Sequence, residues 1–148
     1  MYFFKKGLIL TSIFLAFSCQ KNYLYVQQEV VNHESLASYA VKSPDPRLCE
    51  PYYGQKILIS WDFPQSQFEK KLSLKLTVRF WNNEEKVLFF PVSKKRYYTS
   101  HFFSNPTKDT NKKLLTYKVD VLTEKGEVIQ EWQHQFWTKL IQIESVQE

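Results

Sequence analysis

Residues 71 to 82 read KLSLKLTVRFWN, and from Lys71 to Phe80 every second side chain is apolar. Leu72, Leu74, Leu76, Val78 and Phe80 fall on one side of an extended chain, with Ser73, Lys75, Thr77 and Arg79 on the other. A helix would scatter the same residues around its axis, because side chains share a face every three or four positions rather than every two. The segment therefore predicts a strand with one face in a core and the other in water.

The same period recurs along the chain. KILISWDF (56–63) places Ile57, Ile59, Trp61 and Phe63 together, opposite Lys56, Ser60 and Asp62. KVLFFPV (86–92) reads as a shorter strand, ended or edged by Pro91, which has no N–H for a ladder. RYYTSHFF (96–103) and LLTYKVDVL (114–122) follow. EVIQEWQHQFWTKLI (127–141) reads as a last strand with Val128, Trp132 and Phe136 inward and a bend near Trp137. TEKG before it is a short loop with Gly126 placed to take positive φ. No long amphipathic helical pattern interrupts the series. Six or seven such strands with turn signals between them predict an all-β sandwich or barrel.

Two local features sharpen that expectation. ILISWDFP carries an inward Trp61 followed by Asp62 and Pro64, and YKVDVLTEKGEV carries Tyr117, Val119 and Val121 before the Gly126 turn. Both resemble strands of the fibronectin type III and immunoglobulin-like sandwich family over about residues 52 to 141. The resemblance implies a single antiparallel sandwich of about seven strands, with Trp61 in its core. The polar loop SNPTKDTNKK (104–113) departs from the tighter connection usual there.

The N-terminus carries a different message. Lys5 and Lys6 precede an apolar run from Gly7 to Phe17, then Ser18 and Cys19, after which the chain turns polar. A positive start, a short apolar stretch and small residues describe a secretory signal peptide. The run is shorter than the ~20 residues that cross a hydrocarbon core, which makes an uncleaved anchor the weaker alternative. LAFSC resembles the lipobox of bacterial lipoproteins, in a relaxed form because Leu15 stands four residues before the cysteine and Phe17 lies between. The resemblance implies a diacylglyceryl group on Cys19, which becomes the mature N-terminus after residues 1–18 are removed. Under the sorting rule of the lipoproteins it resembles, in which an Asp after the cysteine retains the protein in the inner membrane, Gln20 implies the outer membrane. The expected organisation is thus a signal peptide (1–18), a lipidated, proline-containing tether (19–51) with room for a short strand or helix in residues 20–35, a β-sandwich (52–143) and a tail (144–148).

Removing Lys5 and Lys6 lowers the net charge from +5 to +3. SKKRYY (93–98) and TNKKLL (110–115) are the only dense basic spots, and both read as solvated turns or edges. Nothing resembles the basic face of a nucleic-acid binder; a weak attraction to anionic headgroups is compatible with the excess. With Cys19 given to lipid, Cys49 has no intramolecular partner, leaving a buried thiol or a disulfide-linked dimer. Aromatic residues are plentiful enough to build a core without staples.

Reactive constellations are not found. His33, His101 and His134 have no companion at metal-ligand spacing, and no histidine is placed to activate Cys49. Asp45 lies between Pro44 and Pro46 and reads as a turn former. Glu84 and Glu85 in WNNEEK read as a solvated hairpin tip. Phosphate-binding and nucleophile-elbow motifs are missing. No catalytic residue, metal or cofactor is expected. Trp81, Phe102 and Phe103 stand near loops and edges, either filling the sandwich or forming a protein-contact patch. The sequence thus describes a lipid-anchored envelope module that binds or supports a partner; an envelope enzyme or a metal-dependent accessory protein is the alternative.

Overall fold

The computed structural model describes residues 22–138. Cys19, the signal segment and the tail lie outside these described residues. Among the described residues seven strands form two antiparallel sheets, as expected for a sandwich. β1 (Leu24–Val31), β2 (Gly54–Asp62) and β5 (Arg96–Ser104) make the first sheet, with β2 in the middle. β3 (Ser73–Phe80), β4 (Glu85–Pro91), β6 (Leu114–Leu122) and β7 (Val128–Gln133) make the second, in the order β4-β3-β6-β7. The chain changes sheets after β2, β4 and β5, which is the cross-sheet connectivity of a sandwich.

The core is the meeting of the inner faces. Ile57, Ile59, Trp61 and Phe63 from the first sheet lie against Leu74, Leu76, Val78, Val119 and Val121 from the second, and all are buried. Each fully buried aliphatic or aromatic side chain contributes roughly 1.5–3 kcal/mol. Tyr117 stacks on Trp132 with ring centroids 5.4 Å apart and planes 15° from parallel, and burial raises its hydroxyl pKa. Gly126 adopts φ +81° in the β6–β7 turn, as its position predicts. Pro91 closes the edge strand β4.

Two expectations are corrected. The stretch read as a tether from Cys19 to Pro51 contributes a strand, Leu24–Val31, to the first sheet. β1 pairs with β2 from Leu24↔Trp61 to Val31↔Gly54, and Leu24, Val26 and Val31 are buried. Beyond it come a 3-10 turn at His33–Ser35, capped reciprocally by Asn32 and Ser35, and a short helix at Ala37–Val41. Next, the last strand stops at Gln133. A turn carries the Trp137 N–H back to the His134 carbonyl at 2.8 Å, and Phe136 is exposed rather than inward, as is Val128.

A different contact joins Arg79 and Glu85. Arg79 stands on the face opposite the leucines, yet only 4% of its surface is accessible. After the turn, Trp137 returns over the outer face of the second sheet, its ring centroid 5.0 Å from the guanidinium carbon. Arg79 donates to the Thr138 carbonyl at 3.1 Å and to the Glu85 carboxylate at 3.0 and 2.6 Å. Glu85, exposed as a hairpin-tip acid should be, is also the counter-ion of this buried cation. Glu84, exposed in the β3–β4 turn, accepts from the Asn82 amide at 3.2 Å.

Candidate contact surface

One hollow opens between the edge strands β4 and β5, at the end of the sandwich where β3 and β5 finish. It has a volume of about 320 Å³. Phe80, Phe102 and Phe103 supply aromatic walls, His101 lies among them, and Asn82, Glu84, Lys86 and Lys112 supply a polar rim.

Register explains the walls. In β5, Phe103 opposes Gln55 and faces the core, while Phe102 opposes Lys56 and faces outward. Phe103 is accordingly buried, and meets Phe80 edge-to-face at 5.9 Å and His101 at 4.7 Å. Phe102 is half-buried and stacks on Tyr52 at 5.2 Å, which in turn stacks on His33. Its ring also lies over Gly54, where an added Cβ would meet Phe102 ring carbons at 2.7 and 2.8 Å and the Phe103 carbonyl oxygen at 2.3 Å. Only glycine fits beneath that ring.

Loops flanking the hollow are held by their own hydrogen bonds. The buried Asn105 donates its amide to the Asp109 carbonyl and accepts the Asp109 N–H, at 2.8 and 2.9 Å. Asp109 then caps the 3-10 turn at Thr110–Lys112. Buried Gln55 accepts the Leu114 N–H at 2.7 Å, and the Trp81 N–H donates to the Lys113 carbonyl at 3.0 Å. Asn83 takes φ +63° in the β3–β4 turn, a conformation that asparagine tolerates better than most residues.

Of the three predicted contact residues, the structure leaves one fully available. Trp81 is 52% exposed between two residues that line the hollow. Phe102 offers one outer surface. Phe103 is a core residue, because at this end of β5 adjacent side chains point to opposite faces and pairing with Gln55 turns Phe103 inward. His101 has its pKa lowered by burial first and by the Lys86 charge second, so it is biased towards the neutral imidazole. An aromatic cleft with one neutral imidazole and mixed charges at its rim can hold an apolar side chain while its rim exchanges hydrogen bonds.

Asp45 binds Arg47 at 2.7 Å and the Ser38 hydroxyl at 2.7 Å. The Arg47 and Ser38 hydrogen bonds hold the Asp45 carboxyl well below its usual range. His33 lies 2.7 Å from the Glu50 carbonyl, and His134 packs on Tyr117 at 5.1 Å. Among the described residues no group of three metal-ligating side chains converges. Cys49 is an exposed free thiol, which removes the buried alternative. No described helix is long and apolar enough to cross a membrane.

Sequence reasoning missed a second aromatic set. Tyr25, Tyr97 and Tyr98 are exposed at the opposite end of the first sheet, next to Lys94, Lys95 and Arg96. Their signal was the doubled tyrosine at 97–98, which no alternation can bury on one face. Comparison with family models, curated proteins and solved structures finds no match to the chain.

Proposed function

We propose that the protein is a lipid-anchored bacterial envelope lipoprotein, outer-membrane rather than inner, whose sandwich acts as a binding or structural module. One observation carries the reading: the ordered run of Lys5–Lys6, an apolar segment, Ser18 and Cys19 stands only a few residues before the folded strand β1. Two or three acyl chains on the mature N-terminus make membrane attachment durable, each buried CH₂ contributing ~0.8 kcal/mol. The domain then needs no span of its own. Its cleft and the exposed Trp81 lie at the end of the sandwich away from Leu24, where a partner has access, and the partner is a protein. Metabolic labelling with palmitate tests the anchor: label in the wild type and none in Cys19→Ala supports it, and label retained in Cys19→Ala removes it.

A further inference from the structure

We infer that the corner of the sandwich bearing Tyr25, Lys94, Lys95, Tyr97 and Tyr98 is a membrane-docking face that seats on anionic lipid headgroups. The inference rests on the lipid-anchor reading for its orientation and goes beyond it. An acyl anchor alone would leave the domain free to tumble at the end of a leash. The corner argues for a fixed pose.

Leash length is the first argument. Cys19 and Tyr23 are four residues apart, and an extended chain spans at most ~3.6 Å per residue, so the anchor lies within roughly 14 Å of Tyr23. Tyr23 lines the same hollow as Lys95 and Arg96, and its carbonyl accepts the Asp62 N–H at 2.9 Å. The basic β4–β5 turn is thereby kept within reach of the headgroups.

Side-chain chemistry is the second. Tyr25, Tyr97 and Tyr98 are 60%, 46% and 59% exposed, an unusual concentration of aromatic surface. Tyrosine favours the membrane–water interface, where its ring is partly desolvated and its hydroxyl stays wet. Lys94 lies 4.6 Å above the Tyr97 ring. Arg96 pairs with Asp62, which offsets its charge and leaves Lys94 and Lys95 as the positive excess of the turn. Two lysines near an anionic surface add a modest attraction, too little to recruit the domain but enough to orient one already tethered.

The test uses the chain from Cys19 onward, because the core cluster of the described residues lies wholly between Leu24 and Val121. In a Cys49→Ser background, Cys19 is coupled to a maleimide lipid in vesicles of phosphatidylcholine with or without about a third phosphatidylglycerol. A lysine-reactive, membrane-impermeant reagent then reports accessibility by mass spectrometry. Lys94 and Lys95 are expected to react at least about threefold more slowly on the anionic vesicles, with Lys112 and Lys113 unchanged, and Tyr25→Ser/Tyr97→Ser/Tyr98→Ser is expected to abolish the difference. Equal rates at both lysine pairs, or the same protection on neutral vesicles, would overturn the docking face. Chemical coupling makes this result independent of cellular acylation, which palmitate labelling reports separately.

Discussion

The Trp61 indole N–H donates to the Lys94 carbonyl at 2.8 Å, joining the centre of the core to the basic turn at its edge. One side chain from the middle strand thus fixes both the packing between sheets and the path of residues 93–95. Trp61→Phe removes the hydrogen bond and part of the ring volume. Urea unfolding is expected to show a loss of roughly 1–3 kcal/mol, with Trp61→Ala losing about 3–5 kcal/mol. Equal stability of wild type and Trp61→Phe would show that the turn is held some other way.

Gly54 and Gly126 separate two reasons for glycine. At Gly54 an added methyl collides with backbone and with the Phe102 ring, while at Gly126 there is open space but a φ of +81°. Gly54→Ala is expected to cost more in chemical denaturation than Gly126→Ala, for which about 1–2 kcal/mol is expected. Phe102→Ala should recover only part of the Gly54→Ala loss, since the Phe103 carbonyl remains in the way.

Arg79 depends on Glu85 and on the returning segment at Trp137. Removing a buried cation's partner leaves an uncompensated charge, worth up to ~3–5 kcal/mol when the pair is wholly buried. Glu85 is 38% exposed, so water replaces part of its role. Glu85→Ala is expected to lose roughly 1–3 kcal/mol, whereas Arg79→Met/Glu85→Ala should be closer to wild type. A double-mutant cycle with no coupling would contradict the pairing.

His101 makes stability depend on pH. Its folded pKa is depressed, so the unfolded chain binds the proton more readily and stability rises with pH through this window. The penalty sets in as pH falls through the ordinary histidine value of about 6.5 and is complete below the folded pKa. Unfolding midpoints followed from neutral to mildly acidic pH should fall less for His101→Gln than for wild type. Parallel curves would show that the imidazole titrates normally.

Much of this was legible in the alternation of apolar residues. Leu74, Leu76 and Val78 face the core because period two admits one inward face, and Trp61 follows the same rule. β1 was not legible as part of the sheet: its pattern breaks after Val26, since an edge strand leaves Gln27, Gln28 and Glu29 exposed. Nor could alternation decide between Phe102 and Phe103, where pairing with Gln55 and Lys56 sets the facing. Arg79 is buried by residues nearly sixty positions later, a contact no local pattern encodes. The anchor motif is legible only in sequence.

Intact-mass spectrometry of the protein purified from its native membranes tests the central claim most directly. The expected species begins at Cys19 and carries a thioether-linked diacylglycerol. A polypeptide that begins at another residue, or one without fatty acid, would contradict the lipid-anchored reading.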